Sequence, residues 1–213
     1  MEKMKSLARM LWSHKIFKIV KWAFLVLLVL YFILVGFRVK YFFDLDKTNA
    51  QVEKIHATKL TLDDVMGTNL PPDPGAEADK TVIGIDANNN GIRDDVELAV
   101  FKEYPNSAKT RAVLLQYALA LQMEAIQPIF NETTVGEVAN KGDRAIFCLA
   151  KIVPTDGEGG VILAIEKYGK FITDKQFNTE QRKTKHRDFY SYLKSGRIDD
   201  SESCDIDIVK LQN

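Results

Sequence analysis

The chain lacks most of the short patterns on which a reaction can be argued. It has no Gly-rich phosphate loop, no His-x-x-x-His, no Gly-x-Ser-x-Gly and no Cys-x-x-Cys. No sequence-local sign therefore exists of a nucleotide cradle, a zinc helix, a nucleophile elbow or a dithiol redox pair. Histidine is scarce: of the three, His14, His56 and His186, none lies near a cysteine in sequence, so no Cys-His nucleophile is visible. His186 has Asp188 two residues on, but residues so spaced on a helix do not face each other, and Lys183 to Asp188 reads as a solvated charged face. Internal repeats and low-complexity tracts are absent as well.

Net charge is also missing, with 29 basic and 29 acidic residues, yet the balance is uneven along the chain. Lys3, Lys5, Arg9, Lys15, Lys18 and Lys21 stand against Glu2 alone before the apolar run, which leaves 23 basic against 28 acidic residues for the rest. That remainder is mildly acidic and has no basic stripe, which counts against nucleic acid as a partner.

Between those basic residues and Arg38, the stretch Trp22 to Phe37 carries no charge. Extended back to Ile19 past a snorkelling Lys21, it has about the length one tilted helix needs to cross a bilayer. The positive-inside rule keeps the first residues in the cytoplasm and sends everything after Arg38 outward. A cleaved signal peptide and a buried core helix are the rival readings. The run is longer than a usual signal core, Gly36 to Tyr41 offers no small-x-small cleavage site, and nothing interrupts the apolar face.

Residues 86 to 97 read Asp-Ala-Asn-Asn-Asn-Gly-Ile-Arg-Asp-Asp-Val-Glu. With Asp86 as position 1, side-chain oxygens fall at positions 3 (Asn88), 5 (Asn90), 9 (Asp94) and 12 (Glu97), Gly91 occupies position 6, and Ile92 offers its carbonyl at position 7. A hard cation that takes six to eight oxygens dictates that spacing, and the cofactor expected is Ca2+. The bland alternative is an Asn/Asp-rich turn that caps a helix. The loop resembles those of EF-hands, dockerins and related extracytoplasmic bacterial modules, over the loop and the helix that follows. It departs from the EF-hand in two ways. Arg93 fills position 8, where a paired loop carries an aliphatic residue, and Thr81 to Ile85 looks extended rather than helical. A solitary loop of this kind implies weak binding, on the order of 0.1 to 1 mM, and Arg93→Ala is expected to matter little to it.

Cys148 and Cys204, the only cysteines, both fall on the exported side, where one disulfide is expected; a buried thiol at Cys148 and an unrelated exposed Cys204 are the alternative.

The fold class expected is mainly α: a single N-terminal transmembrane helix and a small exported helical domain with the EF-hand-like loop and a minor two-stranded β element. Residues 1–18 form a cytoplasmic basic segment, 19–38 the transmembrane anchor, 39–66 a juxtamembrane helix or stalk, 67–80 a Pro/Gly-rich linker and 81–213 the domain. Within it, helices are expected from Asp95 to Glu103, from an Asn106-Ser107 cap to about Ile126, from a Thr134/Glu137 capping box to Ile152, over Val161 to Ile172, and from an Asn178-Thr179 cap to Gly196. Pro154 to Gly160 should break the third. The helix of Ala112 to Ile126 has only Gln116, Gln122 and Glu124 as polar residues, so it should lie wrapped at the centre. Cys204, Ile206 and Ile208 alternate with acids and could pair as a strand with Thr81 to Ile85.

The block Gly84 to Glu97, followed by Gln116-Tyr117-Ala118 and by Asn178-Thr179 with Arg182 and a Tyr-rich helix, is similar to small secreted or anchored bacterial proteins of uncharacterised function. That resemblance implies no activity and no catalytic residue. The expected role is a membrane-anchored periplasmic module that binds a protein partner, such as an immunity or inhibitor protein, with a calcium-dependent cell-envelope enzyme as the alternative.

Overall fold

The computed structural model describes residues 14–153, 160–194 and 203–212. It is mainly helical, and the described residues contain no strand. The basic segment before His14 and the expected helix end at Gly196 lie outside the described residues. The chain divides into two units, Met1–Asn49 and Ala50–Asn213.

The first unit is built on helix α1, His14–Ala57. Its side chains from Phe17 to Leu45 include a long series of exposed large apolar residues. The span Ile16–Ala57 has a mean hydropathy of 2.5 in its most apolar window, none of it buried, and is long and apolar enough to cross a membrane.

The second unit begins at Ala50 rather than Thr81. Ile55, Leu60 and Val65 are buried in its core, so the expected stalk ends inside the domain. Thr61 and Asp64 close a capping box on the short helix α2, Leu62–Met66, and Gly67 ends it at φ 72°, in the left-handed region that glycine enters without penalty. The expected linker, 67–80, is irregular over most of its length. It contains a 3₁₀ turn at Gly75–Asp79, whose Ala78 is buried.

Six further helices follow among the described residues. Asp94–Glu103 is α3, and α4, Ala108–Ile126, starts at a Ser107 cap that accepts the Thr110 N–H. Helix α5, Glu132–Ala150, is capped by Asn131, with Thr134 returning the bond from the third position. The box therefore sits one turn earlier than Thr134/Glu137, because asparagine serves better at the cap and threonine can fill the reciprocal place. The helical run from Gly160 continues past Ile172: α6, Gly160–Ala164, passes through a π-helical turn at Ile165–Gly169 into α7, Lys170–Gln176. Thr179 caps α8, Glu180–Ser191.

Helix α4 is the hub. Every residue from Arg111 to Glu124 is buried, and α4 packs most extensively against α5, with α3, α7 and α8 on its other sides. Truncating a leucine there, such as Leu115, would cost about 2 to 5 kcal/mol. Its few polar side chains hold irregular backbone. Arg111 donates to the carbonyls of Val65 (3.0 Å), Tyr104 (3.0 Å) and Pro105 (2.6 Å). Gln116 donates to Ser203 O at 2.7 Å and accepts the Asp205 N–H at 2.9 Å. Gln122 donates to Ile83 O at 2.8 Å.

These bonds explain why the expected strand pair does not form. Buried backbone groups need partners, and here side chains supply them before another strand can. Arg182 donates to Val82 O (3.1 Å), Thr81 O (2.9 Å) and Ala78 O, and also to Asp79 and Asn178. The tail is held instead by Gln116, by Leu60, whose N–H reaches Asp205 Oδ2 at 3.1 Å, and by the cysteines. Cys148 and Cys204 are bridged, with Cα atoms 5.0 Å apart across a separation of 56 residues. A closed loop of that length restricts the unfolded chain by about 4 kcal/mol in the entropic account.

Candidate functional site

The loop from Asp86 to Glu97 turns on its own carboxylates and amides. Asp86 accepts the N–H of Asn90 (3.1 Å) and of Gly91 (2.9 Å). Asn90 Oδ1 accepts the Ile92 N–H at 2.9 Å, and Asp94 accepts the Ala87 N–H with both oxygens, at 3.0 and 3.2 Å. Two residues carry positive φ, Asn89 at 59° and Gly91 at 84°. At Gly91 a Cβ would also lie 2.8 Å from Leu119 Cδ1, so position 6 is glycine for two reasons, the turn and the press of α4 behind it.

Glu97, one turn into α3, is 1 % exposed. The Nδ2 groups of Asn88 and Asn90 both donate to its Oε2, each at 3.1 Å. No Lys, Arg or His pairs with it among the described residues. Burial pushes its carboxyl up to about 7, the two amides oppose that rise, and Asp64 and Asp94 reinforce it. Burial likewise raises Asp94. A carboxylate here lacks a counter-charge among the described residues, and a cation among the expected ligands would supply one.

The donor set of Asp86, Asn88, Asn90, the Ile92 carbonyl, Asp94 and Glu97 is all oxygen and matches a hard cation in type and number. Asn88, Asn90 and Glu97 meet at one point, whereas Asp86 and Asp94 turn to backbone N–H groups. Among the described residues no three carboxylate, imidazole or thiolate groups converge on a metal-sized space. The loop thus has the oxygen donors and the glycine turn that calcium loops use, without a converged set of charged ligands.

Arg93, which stands where a paired EF-hand carries an aliphatic residue, is fully buried. Its guanidinium pairs with Asp95 at 2.6 and 2.7 Å and donates to Gln176 O (3.0 Å) and Lys175 O (3.1 Å), the last carbonyls of α7. Carbonyls at a helix C-terminus lack intrahelical partners and carry partial negative charge, so a cation suits them. The loop thus docks on a helix end where a paired EF-hand would dock on a second loop.

Lys183, Lys185, Arg187 and Asp188 form the exposed charged face expected of this stretch, but His186 within it is half-buried and turned toward α4. Its Nδ1 lies 2.7 Å from Oε2 of Glu124, whose side chain is 1 % exposed. Tyr190 donates its hydroxyl to the other oxygen at 3.2 Å, and burial beside Glu124 raises the Tyr190 phenol above its ordinary range. Phe177 stacks on the imidazole, centroids 4.1 Å apart, and Tyr190 meets it edge-on at 4.9 Å. The one local hint was Glu124 itself, a lone acid on a helix too apolar to expose it. Comparison of the chain with protein-family models, curated proteins and solved structures returns no match.

Proposed function

We propose that this protein is a membrane-anchored, calcium-stabilised interaction module of the bacterial cell envelope, with residues 19–38 in the inner membrane and the helical domain in the periplasm. The observation that carries the calcium reading is Glu97: a buried carboxylate held by two neutral amides, in a loop whose remaining ligand positions all bear oxygen. Asp86, Asn88, Asn90, the Ile92 carbonyl, Asp94 and Glu97 would hold the ion. It supplies the missing positive charge and fixes the loop, and through Arg93 it fixes the angle at which the loop meets α7. Weak affinity suits a compartment with millimolar calcium and not the cytosol.

Export is supported by the basic flank before an apolar helix of spanning length and by the Cys148–Cys204 bridge, a bond that oxidising compartments preserve. A tethered inhibitor or immunity protein is the case within this class that the features suit best, since it needs a membrane anchor and a rigid surface but no active site. The loop resemblance to EF-hands and dockerins is one of local chemistry.

Two measurements test the reading. Alkaline phosphatase fused after Asn213 should be active and a cytoplasmic fluorescent reporter dark; the reverse pattern removes the periplasmic assignment. Calorimetry on the full chain in detergent should give one calcium site of sub-millimolar to millimolar affinity, absent in Glu97→Gln. No heat of binding from either protein leaves the loop as a helix-capping turn.

A further inference from the structure

Beside His186 lies an open concavity of about 540 Å³ that the calcium reading does not use. One wall is a face of α8. Lys183, His186 and Arg187 line it, and their spacing of three and four residues stacks them on one side of the helix. The opposite wall is the end of α7 with Thr173 and Phe177. The imidazole is clamped from both sides by Phe177 and Tyr190 and from behind by Glu124, so its Nδ1 points inward. Its Nε2 has no hydrogen-bond partner among the described residues.

The charges around it favour a negative ligand. Lys183 is paired with exposed Glu180 at 2.7 Å, and Asp174, on the α7 wall, is paired with Lys170 at 2.7 Å. Among the described residues Arg187 makes no salt bridge; it donates to Thr184 Oγ1 at 3.0 Å and feels Glu180 only at longer range. Glu124 is a buried acid whose partners are His186 and the neutral Tyr190 hydroxyl. A proton on Nε2 makes the ring a cation, which gives Glu124 its counter-charge and turns the outward edge of the imidazole into a donor.

We propose that this concavity binds a phosphomonoester, with its phosphate oxygens on His186 Nε2, Arg187 and Lys183 and its organic group against the Phe177 ring. Three donors ranged along one helix face suit the several oxygens of a phosphate better than the two of a carboxylate, and arginine matches phosphate geometry in particular. The space exceeds what one phosphate fills, which leaves room for the group esterified to it.

The test uses the full chain in maltoside detergent. With only three histidines, the imidazole ¹H–¹⁵N signals can be assigned by single substitution and followed as inorganic phosphate is added. The His186 signals should shift and saturate while those of His56 stay still. Exposed Arg187→Ala, which leaves the fold intact, should weaken half-saturation by about tenfold; acetate should bind at least about tenfold more weakly than phosphate. A shift without saturation, an Arg187→Ala titration that overlays the unmodified one, or acetate as effective as phosphate would overturn the assignment. Glycerol phosphate and a short-chain phosphatidic acid, titrated in parallel, identify the source: tighter binding of the lipid marks a headgroup, and equal binding a soluble phosphomonoester.

Discussion

Two glutamates, Glu97 and Glu124, are almost equally buried, and they solve the same physical problem differently. Glu97 sits among neutral amides with two acids nearby, whereas Glu124 faces a histidine and a tyrosine hydroxyl. Taking a carboxylate out of water is expensive unless charge or donors replace the water. Glu124 carries its compensation in the sequence. Glu97 leaves part of it to the surroundings, so its site should respond to solution conditions where the other does not.

The largest effect should come from cutting what the two sites share. Arg93 ties the loop of Glu97 to the last carbonyls of α7, and the next residue, Phe177, stacks on His186. Arg93→Ala should cost about 3 to 5 kcal/mol, the range for removing one member of a buried ionic cluster. Denaturant unfolding of the full chain in detergent, followed by circular dichroism, measures it. A loss below 1 kcal/mol would mean that Arg93 is replaceable by water.

The second test separates the acids. Glu124→Gln removes the charge His186 faces and forces an amide donor toward Nδ1–H or the tyrosine, at about 2 kcal/mol. Glu97→Gln in chelator should cost nothing or stabilise slightly, since it removes an uncompensated charge. Equal losses for both variants in chelator would erase the distinction.

A smaller effect is the calcium response itself. Binding only to the folded state adds about 1.4 kcal/mol at tenfold excess over the dissociation constant, a rise of a few degrees in melting temperature. Glu97→Gln should lose that rise and Glu124→Gln keep it. Superimposable melts of the unmodified chain in chelator and in calcium would sink the assignment of Glu97.

The smallest effect belongs to a control. His56 Nε2 lies 2.7 Å from Glu137, the same separation as His186 from Glu124, but the His56 side chain is 58 % exposed. His56→Ala should change stability by less than about 1 kcal/mol. A loss as large as that of Glu124→Gln would show that distance and not burial sets these energies.

What the sequence made legible was local. The Ser107 and Thr179 caps, the wrapped character of Ala112 to Ile126 and the apolar helix before Arg38 all depend on residues within a few turns, and each is observed. The Asn131 cap was missed by one turn because Thr134 fits both as a cap and as its partner. The segments Thr81 to Ile85 and Cys204 to Ile208 read as strands because alternation signals extended backbone, but both bend, with Gly84 at φ 73° in the first and Ile208 opening a 3₁₀ turn in the second, and side chains satisfy them. Their partners Arg182, Gln122 and Gln116 stand 39 to 101 residues away. Glu124 and His186, 62 apart, were both visible and could not be joined without the fold. The cysteine pairing was open to inference because two cysteines admit only one bond.

The clamp that Gln116 places on the tail has a consequence in time. Its acceptor, Ser203 O, follows it by 87 residues, and Lys109 N–H reaches Gln212 O, still farther along the chain. Helix α4 can form early from local contacts, but its buried amide at Gln116 stays unsatisfied until the tail arrives. Such distant closures are slow relative to local ones. The contacts that close this side of the core thus join residues far apart in the chain, and a variant that loses the tail is expected to leave the apolar seam of α4 open to proteases, which limited proteolysis would show.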